Sequence, residues 1–271
     1  MHSTPSRPLL SPSTGRGTTP LIFLHGLGGS GRYWYQVRDE LDPERFTIHL
    51  LDLLGFGRSP WPDVEYTLED HLAALEHWRA DILGTHRFTC IGHSLGAILA
   101  ERWAQRTRAL DKLILVSLPI MADPYTDQRR LASLSRLHWV TLENPVVGRL
   151  ACQVMCHSRP VWRFLATLLN RRVPRAVAQD AVLHTERSFF GTLNHCALEQ
   201  PAALSISPYE PPSLFIHGDQ DPVASIDELR SQVLSRPNAR LHMLPGGHDL
   251  LLTHPKALAD RIARFAQDWS G

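Results

Sequence analysis

The amino-acid sequence predicts an α/β fold, with a mostly parallel central sheet, helices on both faces and an inserted helical segment. Three observations support this prediction. Short apolar runs, such as 21–24 and 88–91, have the length and composition of buried strands. Segments with helical periodicity alternate with these runs, as they do in parallel βαβ units. The alternation stops at Pro119 and resumes near residue 210, which indicates an insertion.

Composition and charge place the chain among ordinary globular proteins. Its 271 residues are 43% hydrophobic and 20% charged, with a net charge of +1. This balance gives no electrostatic reason to expect nucleic acid or an anionic membrane as a partner. Residues 1–19 are rich in Ser, Thr, Pro and Gly, which predicts a flexible lead without the apolar core of a signal peptide. No run is long enough to span a bilayer, so we expect a cytoplasmic protein.

The four cysteines are Cys90, Cys152, Cys156 and Cys196. Cys152 and Cys156 are four residues apart on a predicted helix, and His157 follows them. A metal site would need further ligands at suitable spacing, and the sequence pattern offers none. We therefore predict buried free thiols in a reducing compartment, and no metal.

The first predicted strand, 21–24, runs into a glycine-rich loop at 25–31. Such a loop can hold a phosphate, but neither G-x-x-x-x-G-K-[S/T] nor G-x-G-x-x-G is present. It can also form an oxyanion loop, in which glycines let a backbone N–H approach a substrate carbonyl. A serine motif further along the chain favours the second interpretation. His25 is then expected to hold the loop in place by hydrogen bonding.

The next elements continue the alternation. Residues 46–51 form a second strand and 52–59 a turn-rich loop with the pattern D-x-x-G-x-G-x-S. Apolar residues at 3.6 spacing between 68 and 82 then predict a helix.

The sequence Gly92-His93-Ser94-Leu95-Gly96 has the pattern G-x-S-x-G. A buried strand precedes it, and one face of a helix begins at Leu95. Ser94 is therefore expected on a sharp strand-to-helix turn, which is the context that gives this motif its meaning. Such a turn needs neighbours without a Cβ, which explains Gly92 and Gly96.

Beyond this turn, 112–118 predicts a strand, and 119–209 forms the inserted helical cap. Helices are expected in the cap near 127–141, 145–157, 160–171 and 174–186. Strands at 213–217 and 240–244, a helix near 226–235 and a last amphipathic helix from 258 to 269 complete the chain. The core therefore comprises 20–118 and 210–271. The cap is expected over the carboxyl edge of the sheet, where open α/β sheets bind ligands.

Ser94, Asp221 and His248 each follow the carboxyl end of a predicted strand, so they can converge. A serine at its free pKa is a poor nucleophile and needs a base, which in turn needs a carboxylate to fix its tautomer. The chain order of Ser, then Asp, then His suits this architecture.

Four other residues compete for the acid and base roles. His254 is the rival base, with a surface or capping role as its alternative. Asp219 and Asp123 are rival acids, and Asp249 is expected at a helix N-terminus instead.

Five motifs in order give the sequence a close resemblance to the α/β-hydrolase fold superfamily, in its capped serine-esterase-like branch. They are the His-Gly loop at 25–29, the loop at 52–59, G-x-S-x-G at 92–96, G-x-x-D at 218–221 and G-G-H at 246–248. The resemblance implies Ser94 as nucleophile, Asp221 as acid and His248 as base. It also implies that the backbone N–H groups of Leu27 and Leu95 form an oxyanion hole.

The expected activity is hydrolysis of a small or medium apolar carboxylic ester, with no metal or organic cofactor. A carbon–carbon bond hydrolase is one alternative, although such relatives tend to carry a Gly-Pro-Gly loop where this chain has Gly-Leu-Gly-Gly at 26–29. Thioesterase and lactonase activities share the same triad. A ligand-binding protein on a hydrolase scaffold is the non-enzymatic alternative. The sequence leaves the oligomeric state open.

Overall fold

The computed structural model describes residues 9–120, 144–169, 173–199, 210–224 and 226–268. Within them a seven-stranded sheet has the order β1-β3-β2-β4-β5-β6-β7, and every neighbouring pair except β1–β3 is parallel. The predicted α/β fold class is confirmed. The strands are β1 Ser13–Thr14, β2 Thr19–Leu24, β3 Phe46–Leu51, β4 Phe88–His93, β5 Leu110–Val116, β6 Ser213–Gly218 and β7 Ala239–Leu244.

Helices cover both faces of the sheet. The core helices are α1 Tyr35–Asp39, α2 Leu68–Ile82, α3 Leu95–Ala104, α8 Ile226–Leu234, α9 Leu250–Thr253 and α10 Pro255–Asp268. The inserted segment contributes α4 Pro145–His157, α5 Arg159–Leu169, α6 Arg175–Asp180 and α7 Glu186–Thr192, which continues as a π-helical turn, Leu193–Leu198. No described helix is both long enough and apolar enough to cross a membrane.

Successive residues of the central strands belong to two separate apolar clusters, one on each face of the sheet, because strand side chains alternate between faces. Ile22 packs with the buried Trp78 of α2 and Trp103 of α3. Phe23 packs with α1 and α10 on the opposite face, where Ile262 is fully buried. Burial on both faces explains why these strands are continuous apolar runs in the sequence.

The N-terminal segment differs from the predicted flexible lead over its described part. Ser13 and Thr14 pair antiparallel with β3 and add an edge strand to the sheet. The Asp52 N–H donates to the Leu10 carbonyl at 2.8 Å, and the Trp78 indole donates to Ser11 Oγ at 2.7 Å. These bonds are mainly to the backbone, so a polar sequence can make them without showing strand periodicity.

The inserted segment also differs from prediction in one place. The helix expected over 174–186 is divided into α6 and α7, because His184 forms an antiparallel bridge with Phe56 and the Gly57 N–H donates to the Leu183 carbonyl. Thr185 then starts α7 by accepting a hydrogen bond from the Ser188 N–H. The helix expected over 127–141 lies outside the described residues.

Asp180, at the end of α6, fastens the insertion to the core. Its buried carboxylate accepts a hydrogen bond from Ser30 Oγ at 2.8 Å and from Arg58 Nη2 at 3.1 Å. Ser30 follows β2 and Arg58 follows β3, so one carboxylate joins α6 to two loops at the carboxyl edge of the sheet. The described part of the insertion therefore lies over this edge.

We expect the protein to lose stability steeply in weak acid. Burial lowers the pKa of His71, His93 and His184 from 6.5 to about 4. Between these values the unfolded chain binds protons that the folded chain does not, so the free energy of unfolding falls as the pH falls. Each group contributes about 1.4 kcal/mol per pH unit in this window.

His71 is the best position for a test of this acid sensitivity because it contacts Thr192 Oγ1 at 3.0 Å and lies outside the Ser94 turn. Urea unfolding between pH 7 and pH 5 measures how steeply the free energy of unfolding falls with pH. For His71→Gln this slope should be shallower than that of the wild type by the equivalent of about one bound proton. His77→Gln is the matched control, since the His77 side chain is 40% exposed on the same helix. If the free energy of unfolding had the same pH slope in His71→Gln and in the wild type, the prediction would be contradicted.

Candidate active site

Ser94 occupies a strained turn between β4 and α3, with φ of 53° and ψ of −120°. This geometry requires the two glycines around it. A Cβ on Gly92 would lie 2.2 Å from the Gly96 carbonyl oxygen, and a Cβ on Gly96 would lie 2.4 Å from the Leu24 carbonyl oxygen. The G-x-S-x-G pattern is therefore a steric requirement of packing this turn against β2.

The structure brings the three predicted triad residues into one hydrogen-bonded chain. Ser94 Oγ lies 2.9 Å from His248 Nε2. His248 Nδ1 lies 2.9 Å from Asp221 Oδ2 and 3.1 Å from Asp221 Oδ1. With Nδ1–H donating to the carboxylate, Nε2 is free to accept the serine proton.

The Asp221 side chain is fully buried beside His248. Burial alone would raise its pKa. Hydrogen bonds from His248 and from the backbone N–H groups of Val223 and Ala224 oppose this effect, and the pKa of Asp221 is lowered overall. A negative charge is thus held beside the imidazole that would become positive during proton transfer.

The glycine-rich loop after β2 lies directly beside the serine. A Cβ on Gly26 would be 3.3 Å from Ser94 Cβ. The Gly29 N–H donates to the Gly26 carbonyl, which closes a turn that does not use the N–H of Leu27. Leu95 is the first residue of α3, and a donor at this position has no acceptor within the helix. The turn and the helix start each leave an amide available near Ser94.

His25 fixes this loop, as the sequence predicts. Its Nε2 accepts a hydrogen bond from the Leu53 N–H at 3.0 Å, so the proton of the neutral ring is on Nδ1, which donates to the Gly26 carbonyl at 2.7 Å. Burial lowers the pKa of His25, which favours this neutral form.

Comparison with known proteins identifies the fold that carries this site. A family model described as the alpha/beta hydrolase fold matches residues 19–143. The chain has the α/β-hydrolase fold. The resemblance inferred from the five motifs is thereby confirmed at the level of the fold.

Curated relatives of this α/β-hydrolase chain include two lipid-directed proteins by name. It is 28% identical over 191 residues to "Probable lysophospholipase BODYGUARD 4" of Arabidopsis thaliana, covering 65% of this chain and 45% of that one. It is 34% identical over 142 residues to (Lyso)-N-acylphosphatidylethanolamine lipase of Bos taurus, covering 49% of this chain and 40% of that one. The chain thus spans less than half the length of these relatives.

A solved structure agrees over nearly the whole chain. A hydrolase from Pseudomonas aeruginosa matches with a TM-score of 0.74 at 19% identity, covering 96% of this chain and 94% of that one. At this identity the match concerns the fold alone.

Two residues outside the predicted triad hold the backbone of His248 in place. The backbone carbonyl of His248 accepts hydrogen bonds from His93 Nε2 at 3.0 Å and from Ser117 Oγ at 3.1 Å. His93 is the last residue of β4, and Ser117 directly follows β5. The His93 ring also lies beside the imidazole, with its centroid 4.9 Å from that of His248. The only sequence signal was its place beside Ser94.

The rival candidates make different contacts. Asp219 Oδ1 accepts a hydrogen bond from the Gly246 N–H at 2.9 Å, and His254 Nδ1 lies 3.0 Å from Thr253 Oγ1. Asp249 is the N-cap residue of α9, and its carboxylate accepts a hydrogen bond from the Tyr33 hydroxyl. Asp123 lies outside the described residues. Among the described candidates, His248 contacts Ser94 and Asp221 contacts His248.

The D-x-x-G-x-G-x-S loop at 52–59 has a structural role, because Asp52 binds backbone groups of two loops. Asp52 Oδ1 accepts a hydrogen bond from the Gly31 N–H at 2.7 Å, and its Oδ2 accepts one from the Arg58 N–H at 2.8 Å. A Cβ on Gly57 would lie 2.3 Å from this carboxylate, so the glycine permits the close approach. Asp52 thereby ties the loop after β3 to the end of the oxyanion loop.

Proposed function

We propose that this protein is a serine hydrolase that cleaves carboxylic esters by acyl transfer. The observation that supports this most directly is the continuous chain from Ser94 Oγ through His248 to Asp221, with contacts of 2.9 Å at both links. A buried carboxylate, an oriented imidazole and a serine on a strained turn form the arrangement needed to activate a hydroxyl nucleophile.

In the proposed reaction, Ser94 Oγ attacks the ester carbonyl carbon while His248 Nε2 accepts the hydroxyl proton. The resulting imidazolium is stabilised by the charge of Asp221. Collapse of the tetrahedral intermediate expels the alcohol, which receives the proton from His248. Water then attacks the acyl-enzyme with the same histidine as base, and this step releases the acid and restores Ser94.

The backbone N–H groups of Leu27 and Leu95 are the proposed oxyanion hole. Both belong to elements that are rigidly held, one by the His25 hydrogen bonds and the other by the start of α3. Donors fixed before the reaction do not have to reorganise when the oxyanion forms, and removing one such donor typically costs about 10²- to 10³-fold in kcat.

The favoured substrate has an apolar acyl group. Phe189 of α7 lies against the oxyanion loop, where a Cβ on Gly28 would be 3.3 Å from its ring. Such a ring beside the proposed oxyanion loop favours an apolar substituent on the substrate.

A second candidate is an ester with a long acyl chain and a polar head group, of the lysophospholipid type. Exposed apolar side chains lie at helical spacing on α4, at Val146, Leu150 and Val154, and α5 exposes Phe164 and Leu168. Such faces suit an amphiphilic substrate or an aggregate of it. The names of the two curated relatives point in the same direction.

The decisive experiment combines covalent labelling with a substrate panel. A fluorophosphonate should label one residue, Ser94, identified by peptide mass spectrometry, and His248→Ala should lose the label. p-Nitrophenyl esters from acetyl to palmitoyl, together with lysophosphatidylcholine, then measure the preferred acyl length and head group.

The outcomes separate the alternatives. Labelling without turnover of any ester would keep the activated serine and redirect the search to thioesters, lactones or carbon–carbon bonds. No labelling and no turnover would overturn the enzyme proposal and favour a ligand-binding protein.

A further inference from the structure

We propose that Cys152, Cys156 and His184 form a binding site for one Zn²⁺ ion or a similar thiophilic cation, separate from the Ser94 site. The two cysteines lie one helical turn apart on α4, and His184 approaches them from the bridge that precedes α7. The ligand atoms of the three side chains all lie within 4.8 Å of one another.

The spacing of these atoms fits metal coordination. Cys152 Sγ lies 3.9 Å from Cys156 Sγ and 3.5 Å from His184 Nε2. In a tetrahedral zinc site with ordinary bond lengths, two sulfurs would be about 3.8 Å apart and a sulfur and a nitrogen about 3.5 Å apart. One cation could bind all three atoms once Cys156 Sγ and His184 Nε2, which lie within 4.8 Å of each other, are about 3.5 Å apart.

The surroundings hold the imidazole in the orientation that such a site needs. His184 is buried, and its ring packs against Phe189 at 5.1 Å and Phe56 at 6.2 Å between centroids. Its Nε2 faces the cysteines. Its Nδ1 is buried without a hydrogen-bond partner among the described residues, so the ring is not committed elsewhere through that atom.

The charges and the access to the site also suit a divalent cation. Two thiolates and a neutral imidazole carry a charge of −2, which a divalent ion neutralises, and the thiol protons leave to solvent when the ion binds. Cys156 is only half-buried, so an ion can enter from its side and a water molecule can occupy the fourth position. Arg159, whose Nη2 donates to the His184 carbonyl at 2.9 Å, helps to stabilise the thiolate charge.

Cobalt is the most informative probe because thiolate ligation of Co²⁺ gives a near-ultraviolet charge-transfer absorption that histidine or carboxylate ligation does not give. The full-length protein, treated with a chelator and kept reduced with a phosphine, is titrated with Co²⁺. We expect one equivalent to produce this absorption and one equivalent of Zn²⁺ to abolish it.

Variants locate the site. Cys156→Ser and Cys152→Ser should each lose the absorption, and Cys196→Ser should keep it because Cys196 lies in the core away from the cluster. Cys156 is the safer position if the fully buried Cys152 variant fails to fold. Zn²⁺ should raise the Tm of the wild type and of Cys196→Ser, and leave that of Cys156→Ser unchanged, because the ion would join α4 to the segment before α7.

Two results would overturn the proposal. One is the absence of thiolate-to-cobalt absorption in the folded, reduced wild type, which would reduce the cluster to thiol–imidazole hydrogen bonding. The other is an absorption that persists in Cys156→Ser and Cys152→Ser. Fluorophosphonate labelling of Ser94 is independent of both results, so the metal site and the hydrolase proposal can fail separately.

Discussion

Ser94→Ala is expected to lower kcat/KM for the best ester by about 10⁴- to 10⁶-fold, a loss typical for removal of a serine nucleophile. The hydroxyl supplies both the atom that attacks the carbonyl and the proton that His248 accepts. Ser117, which follows β5, cannot replace it, because its hydroxyl donates to the backbone carbonyl of His248 rather than to its ring. Residual activity should come only from substrate binding and the oxyanion donors.

The measurement compares Ser94→Ala with Ser117→Ala in the same ester assay. Ser117→Ala removes one hydrogen bond to the backbone of the same histidine, so we expect a loss of less than about tenfold. Both variants should unfold near the temperature of the wild type, because each removes one oxygen atom and leaves the backbone unchanged. If Ser94→Ala kept more than one hundredth of the wild-type activity, Ser94 could not be the nucleophile.

The parts of the fold that the sequence predicts are those with a local cause. The central strands are continuous apolar runs because both of their faces are buried, and Ser94 is flanked by glycines because backbone atoms occupy the space of a Cβ. Asp221 and His248 could be placed because parallel strands bring their carboxyl ends to one edge.

The features that escaped prediction depend on contacts between distant segments. His93 and Ser117 act on a backbone carbonyl more than one hundred positions away in the chain, and a carbonyl carries no sequence signature. His184 joins Cys152 across 32 positions, a spacing that no common metal motif contains. The edge strand β1 is held by backbone pairing, which the polar pair Ser13–Thr14 can make as well as an apolar pair.

The second large effect is expected for Asp221→Asn, which should lower kcat/KM by about 10⁴-fold while keeping the shape of the site. The reason lies in the orientation that the backbone imposes on the new amide. Asp221 Oδ1 accepts hydrogen bonds from the N–H groups of Val223 and Ala224. An asparagine would keep its oxygen toward these donors and turn its NH₂ group toward His248.

That orientation reverses the tautomer of the base. His248 Nδ1 would have to accept a hydrogen bond from the amide, so the ring proton would move to Nε2, the atom that faces Ser94 Oγ at 2.9 Å. A protonated Nε2 cannot take the serine proton. The variant should therefore lose fluorophosphonate labelling in parallel with ester turnover, since both reactions need an activated serine.

Asp219→Asn is the matched control, because it makes the same chemical change two residues away. Asp219 Oδ1 accepts from the Gly246 N–H at 2.9 Å, and an asparagine oxygen can accept the same bond. We expect its kcat/KM to stay within a few-fold of the wild type. A large loss in Asp219→Asn together with near-normal turnover in Asp221→Asn would contradict the assignment of the acid role to Asp221. A large loss in Asp221→Asn alone would support the buried carboxylate as the group that holds the base in its working tautomer.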